Sequence, residues 1–324
     1  MLSSISHYKH ITPLATLFAI ILILIFGALP DTSLFWQETQ NTGHTILFIL
    51  ITLLILSLLR DTTRLFQRNP FKFYITSCFI SLLIGIIIEL LQSITHSDAS
   101  KMDVVRDLAG IIVAIGLYAA TDSNLQSYHL KSKRWTKAGI LTLSFCTFTA
   151  SMLPLAFLSV AYVQRETAFP VIVDLTTSWS QPFLRLKNAA IYLPEDQKIK
   201  IDGEAPLTRV DFKHGIYPGV SIVETTPDWS AYKALMIVIY SKLNRPFELV
   251  LRIHDDKHNY NYADRFNTAL TINKGTNYFH ILLDDIKKAP MQREMDMMRI
   301  KEITIFSTQS VEKLHFYIGK IRLM

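Results

Sequence analysis

The first half of the chain is written in long apolar runs and the second half in short alternating ones. Between Ile11 and Val163, five stretches are almost free of charge: Ile11–Leu29, His44–Leu59, Phe73–Ile94, Val104–Thr121 and Gly139–Val163. A helix needs ~20 mostly apolar residues to cross ~30 Å of hydrocarbon. The five runs are therefore predicted as transmembrane helices, the second and fourth being short for the task. From Gln164 the pattern changes. ALMIVIYS, FELVLRIHD, ALTINKG, NYFHILLDD, EITIFST and LHFYIGKIRL are short runs rich in β-branched and aromatic residues. Turn residues separate them at Asn244-Arg245-Pro246, Asp255-Asp256 and Asn273-Lys274-Gly275, a spacing that predicts an antiparallel sandwich. The segment DDIKKAPMQREMDMMRIK, broken by Pro290, reads as a loop with a short helical turn. The expected architecture is an α-helical membrane bundle of about five transmembrane helices over residues 1–163. An all-β jelly-roll sandwich follows over 164–324.

Composition agrees with a membrane protein. Half of the residues are hydrophobic and 19% are charged, against ~25% charged in ordinary soluble domains. The net charge of +6 sits largely in loops. Arg60, Arg64, Arg68 and Lys72 follow the second run, and Lys131, Lys133, Arg134 and Lys137 precede the fifth, whereas Pro30–Gly43 has neither Lys nor Arg. Positive loops stay cytoplasmic. The expected topology is multi-pass in a bacterial inner (cytoplasmic) membrane, with the N-terminus cytoplasmic and residues 164–324 extracytoplasmic. Segments Pro30–Gly43 and Thr95–Asp103 would then lie outside. The first run also fits a signal peptide, whose cleavage would leave the same placement. Membrane lipid is one expected partner. Nucleic acid is not, because no basic helix carries interleaved aromatics. Cys78 and Cys146 lie in different apolar runs with no metal-ligand spacing, so neither zinc nor a disulfide framework is expected.

One stretch breaks the apolar rule: IIIELLQSITHSDASKMDVVRDLAG, Ile86–Gly110. Glu89, Gln92 and His96 fall on one helical face, and Asp103, Arg106, Asp107 and Gly110 repeat the spacing on the next helix. A carboxylate in lipid costs ~2.5–3.5 kcal/mol even on the lenient scale, so these residues predict a polar cluster just beneath the outer surface. A plainer account makes Asp103 a helix cap and Arg106 and Asp107 an exposed first turn. A Glu89–Arg106 bond between helices is a third account. The order Glu89-x-x-Gln92, Asp103 and Asp107-x-x-Gly110, with upstream His44 and Phe48, resembles the pattern of VanZ-like membrane proteins over roughly Asp31–Leu117. Asp107 stands where that family has Asn, Phe48 where it has Tyr, and its Arg between Gln and Asp is missing. The resemblance implies a cell-envelope location and a link to glycopeptide (teicoplanin) resistance, without an established reaction. His44 could serve as a base beside the carboxylates. With no HExxH or GxSxG motif, no catalytic residue, metal or cofactor is assigned. A membrane enzyme acting on a lipid-linked envelope or polysaccharide precursor is the alternative function.

In the second half, LRIHDDKHNYNYADRFNTALTINKGTNYFHILLDDI resembles family 11 carbohydrate-binding modules and related galactose-binding-like jelly rolls. Arg265-Phe266 match that family's R-F, Gly275 its turn glycine and Leu283–Ile286 its L-x-D-I, while Gly319-Lys320 replace an acidic residue of its last strand. The resemblance implies an envelope glycan as partner. Sugars are held by aromatic faces and planar polar groups, which selects Trp229, Tyr260, Tyr262, Asp264 and Arg265 as ligand-binding candidates. Phe247, Phe266, Phe279 and Phe316 are expected in the core, and Asp255, Asp256 and His258 in a turn.

Overall fold

The computed structural model describes residues 12–23, 33–94, 101–122, 133–192, 206–225, 228–308 and 313–324. The chain divides into two compact units, Met1–Phe157 and Leu158–Met324.

The first unit is helical. Its elements are α1 (Thr12–Ile23), α2 (Leu34–Thr62), α3 (Leu65–Arg68), α4 (Pro70–Ile94), α5 (Lys101–Thr121) and α6 (Lys133–Ala168), the last running on into the second unit. Among the described residues α2, α4, α5 and α6 are long and apolar enough to cross a membrane, whereas the first expected span is described only over Thr12–Ile23. Helix α2 starts ten residues before the expected His44. Ser33 accepts the Trp36 N–H as an N-cap, and the polar stretch Gln37–Gly43 is helical rather than an outer loop. Hydropathy alone misses such a turn because glutamine and glutamate are good helix formers. Helix α4 opens at Pro70 with the Asn69 side chain accepting the Lys72 N–H at 3.0 Å, the order expected of a capped start.

Helix α4 turns large apolar side chains outward and several small or polar residues inward. On α4 the large side chains Phe71, Ile75, Phe79, Leu83, Ile87, Leu90 and Ile94 are exposed at helical spacing, while Ser77, Ser81, Gly85 and Gln92 are buried. A water-soluble bundle has the opposite arrangement, so the N-terminal region is built for lipid. Helices α2, α4 and α5 meet through Phe48, Ile51, Ile55, Ile88 and Ile111. At one end Leu56, Phe66, Phe73, Tyr74 and Ala119 form a second cluster, where Tyr74 donates to Asp122 at 2.9 Å and Arg60 to Tyr118 at 3.2 Å. Gly110 lets α5 approach the α2 backbone closely: a Cβ there would lie 2.5 Å from the Thr45 carbonyl oxygen and 2.8 Å from Phe48 Cβ. Small residues serve this purpose in membrane helices.

The second unit is an all-β jelly-roll sandwich of twelve described strands. They are β1 (Val171–Val173), β2 (Leu184–Lys187), β3 (Ala189–Tyr192), β4 (Thr208–Lys213), β5 (Gly219–Val223), β6 (Ala234–Ser241), β7 (Phe247–Asp255), β8 (Phe266–Ile272), β9 (Gly275–Leu282), β10 (Ile300–Phe306), β11 (Lys313–Ile318) and β12 (Ile321–Leu323). One sheet has the order β2-β5-β10-β7-β8, and the other runs β1-β12-β6-β11-β4-β3 with β9 on the free edge of β6. All pairings are antiparallel. From β5 onward the chain crosses repeatedly between the sheets, which defines the jelly-roll class. The inner faces meet through Val210, Phe212, Ile237 and Phe316 on one side and Val220, Leu251, Ile253 and Ile305 on the other. Phe212 and Phe316 meet edge to face at 5.0 Å, a favoured aromatic geometry. Strand β7 alternates buried and outward positions as a half-covered strand should. Strand β6 is nearly continuously buried because its second face is covered by Leu207 and Tyr317. Phe316 and Phe266 are core residues, with Phe247 and Phe279 packed against the core. The 284–301 segment forms helix α7 (Leu283–Lys288) and then a loop.

The end of α6 is anchored within this second unit. Tyr162 donates to the Glu224 carboxylate and Arg165 to the Glu224 carbonyl. The Arg165 guanidinium lies 4.1 Å from the Phe183 ring centre, so this buried cation meets a carbonyl and an aromatic face.

Candidate functional site

Two places bring the expected polar residues together. In the bundle, α2, α4 and α5 each contribute one ionisable side chain. His44 Nδ1 lies 3.1 Å from Asp107 Oδ1, with both residues buried. His44, Glu89 and Asp107 each offer a ligand atom, and the three atoms lie within 4.8 Å of one another. Gly85 leaves space for this carboxylate, since a Cβ there would sit 3.0 Å from Asp107 Oδ2. That oxygen is buried and has no hydrogen-bond partner among the described residues. Asp103 lies in the first turn of α5 and forms an i,i+3 ion pair with Arg106 at 2.5 Å. The Arg106 carbonyl accepts from Thr45 at 3.2 Å, which ties α5 to α2. Gln92 is buried on the same side of α4. His96 lies outside the described residues. One imidazole and two carboxylates form a donor set suited to a small divalent cation, or a base held in orientation by its carboxylate.

In the β unit the five expected ligand-binding residues separate. Trp229 is buried in the core between the sheets and borders a cavity other than the one lined by Tyr262 and Arg265. Asp264 is paired with Arg293. It is buried, and Arg293 reaches both it and Asp255: Nε to Asp264 at 2.6 Å, Nη1 and Nη2 to Asp255 at 2.5 and 2.7 Å. Hydrogen bonding from Arg293, against some burial cost, holds the Asp264 carboxyl down to about 2. For Asp255 burial acts upward, but the Arg293 bonds and the Asp296 N–H prevail and the shift is downward. Asp255 and Asp264 are thus tied together by one guanidinium.

Tyr260 and Tyr262 are 91% and 69% exposed. They stand on a loop where Asn259 N–H bonds Asp264 at 3.0 Å and His258 Nδ1 donates to the Asp264 carbonyl at 2.9 Å. Arg265 leaves this loop with its guanidinium 5.1 Å from the Tyr262 ring centre. Both line a groove of about 430 Å³ on the outward face of the five-stranded sheet, together with Lys187, Tyr217, Arg252 and Phe306.

The groove follows from strand period and register. Arg252 and Thr304 are directly opposed across β7 and β10, as are Thr304 and Ser221 across β10 and β5. Because alternate residues face one way, these side chains share the outward face while Leu251 and Ile305 enter the core. Ser221 and Thr304 hydroxyls lie 2.9 Å apart, and Arg252 donates to Thr304 at 3.2 Å and to Glu302 at 3.4 Å. Burial acts upward on the Glu302 carboxyl, but bonds from Thr304 and Ser221 and the charge of Arg252 hold it below the usual range. Beside it, burial and the stacked His258 ring at 4.6 Å push His254 down to about 4, so it is neutral at pH 7. Tyr217 meets Phe306 edge to face at 6.1 Å and carries Lys187 at 5.9 Å from its ring. Tyr217, Phe306, Arg252 and Lys187 were not among the sequence candidates; the alternation in FELVLRIHD and EITIFST was the available signal. A second cavity, about 610 Å³, is bordered by Trp229, Met295 and Met298 with charges of both signs, a less selective lining.

No family model matches the chain, and no curated protein does. Solved structures are similar to the β unit. The family 11 carbohydrate-binding module from Clostridium thermocellum, in complex with a β-1,3-1,4-mixed-linked tetrasaccharide, is 14% identical. That match covers 44% of this chain and 88% of the module, with a TM-score of 0.34. An exo-β-agarase is 15% identical over 48% of this chain and 25% of its own, with a TM-score of 0.36. The family 30 module of a Clostridium thermocellum cellulosomal cellulase is 14% identical over 41% of this chain and 85% of the module, with a TM-score of 0.31.

Proposed function

We propose that the chain is a VanZ-like, multi-pass protein of the bacterial inner membrane whose β unit contacts envelope glycan. The observation that carries the glycan reading is the groove. Tyr262, Tyr217 and Phe306 offer aromatic faces or edges beside the planar guanidiniums of Arg252 and Arg265. Sugar rings stack their C–H faces on such rings and place hydroxyls on such donors. In this reading the helical bundle anchors the receptor and holds the His44–Glu89–Asp107 cluster near the outer surface.

Two measurements test it. Titration of the detergent-solubilised full chain with soluble polysaccharides should give saturable binding. Tyr262→Ala should weaken that binding about tenfold, the size of one lost aromatic face. Unchanged affinity in Tyr262→Ala would remove the groove from the proposal. The loop charges at Arg60–Lys72 support a cytoplasmic N-terminus. Alkaline phosphatase fused after Val163 should accordingly be active, and one fused after Lys131 inactive; the reverse pair sinks the extracytoplasmic placement.

A further inference from the structure

Resting on that reading, we infer that the groove is built for an acidic polysaccharide rather than a neutral one. Its lining contains Lys187, Arg252 and Arg265, and no described carboxylate. The nearest acid of the same sheet face, Glu302, is held by Arg252 and Thr304. Neither Lys187 nor Arg265 has a carboxylate partner among the described residues. The Arg265 Nε is buried and lacks a hydrogen-bond acceptor, although guanidinium N–H groups are obligate donors. Burial lowers the Arg265 guanidinium and the neighbouring Arg252 charge lowers it further; Glu302 offsets Arg252 at 3.4 Å, and no described carboxylate offsets Arg265. A carboxylate presented by ligand would give Arg265 the anion it lacks and share Arg252 with Glu302, through the strongest class of protein hydrogen bond.

The spread of the charges argues for a polymer. In the sheet order β2-β5-β10-β7-β8, Lys187 is on one edge strand, Arg252 on the fourth, and Arg265 directly precedes the other edge strand. Strands ~4.8 Å apart make that face roughly 19 Å across. One phosphate or one lipid headgroup engages one end of such a row. A chain of acidic sugars lying across the strands engages the whole row, and its ring faces meet Tyr262 and Tyr217.

The test uses the detergent-solubilised full chain and two forms of one polymer, polygalacturonate and its fully methyl-esterified form, which differ in charge but not in backbone. Polygalacturonate should bind about tenfold or more tightly than the ester. Its affinity should fall steeply between about 50 and 500 mM salt, because exposed charges are screened over that range. Arg265→Gln and Lys187→Gln should each weaken binding of the acid by a larger factor than binding of the ester; equal losses for the two polymers overturn the acidic preference. Equal binding of ester and acid, or tight binding of neutral β-glucan alone, overturns the acidic preference and leaves the glycan reading standing. Binding of neither form, with neutral glucans also silent, overturns both. Acidic-lipid vesicles that compete for the groove more tightly than the polymer, in an Arg265-dependent manner, assign the cations to a headgroup and overturn the inference.

Discussion

Replacing Arg293 with methionine should cost the β unit about 3–5 kcal/mol at neutral pH, the usual penalty for stranding one side of a buried ion pair. Methionine keeps much of the side chain's apolar length, so the loss reports on charge and hydrogen bonding. One guanidinium binds Asp255, whose side chain is fully buried, and Asp264, whose side chain is largely so. Removing it leaves two carboxylates close together with little water to hydrate them. The pH dependence carries the signature. In the native chain both carboxyls are depressed, Asp264 to about 2 from 3.8. Their contribution is therefore complete above the unfolded value near 4 and is lost as pH falls towards 2. Without Arg293, burial and mutual repulsion raise both carboxyls, and the variant gains stability as acid protonates them. Tryptophan emission, with Trp229 in the β core, can follow unfolding at pH 7 and pH 5. The native-to-variant gap should be widest at pH 7 and narrower at pH 5. A gap independent of pH would show that lost packing, not stranded charge, is the cause.

Gly110→Leu should prevent the bundle from closing. The first added carbon would stand 2.5 Å from the Thr45 carbonyl oxygen and 2.8 Å from Phe48 Cβ, and the former is backbone, which no rotamer change moves aside. Overpacking costs ~1–3 kcal/mol where side chains can yield; here the expected cost is at or above that range. Separation of α2 from α5 would also pull Thr45 from the Arg106 carbonyl and His44 from Asp107. The measurement is the yield of monodisperse protein in mild detergent and its melting temperature. Gly43→Leu is the control, because nothing lies within 4 Å of a Cβ at that position. Equal losses in the two variants would mean that helix propensity, not contact, sets the outcome.

The strands from Ala234 onward are readable in the sequence because each is flanked by turn residues and carries branched or aromatic side chains. The earlier ones are not: LRLK and AAIY are four residues long, too short for a period of two to stand out. The extra turns at the start of α2 were hidden by polarity, since hydropathy marks what enters lipid and not where a helix begins. The spacing of Glu89 and Asp107 announced a polar meeting, but Gly85, which leaves room for Asp107, looks like any other apolar-run glycine. In the groove, Tyr262 and Arg265 were legible as neighbours in a polar aromatic loop. Arg252 and Thr304 were not, because they are 52 residues apart and only strand register makes them adjacent. Trp229 shows a different limit: a large aromatic suggests a ligand face in sequence, and only the fold shows how much of its area the core takes up.

The Arg293 clamp has a consequence for binding cost. Asp255 and Asp264 close the ends of an eight-residue loop that carries Tyr260 and Tyr262, and both are held by one guanidinium. A free loop loses about 1–2 kcal/mol of backbone entropy for each residue that a ligand orders. Here folding has already removed much of that freedom, so under the proposed function a saccharide would meet a preformed rim. Association should then proceed without a slow loop-ordering phase, and differences between sugars should emerge in how long each stays rather than in how fast it arrives.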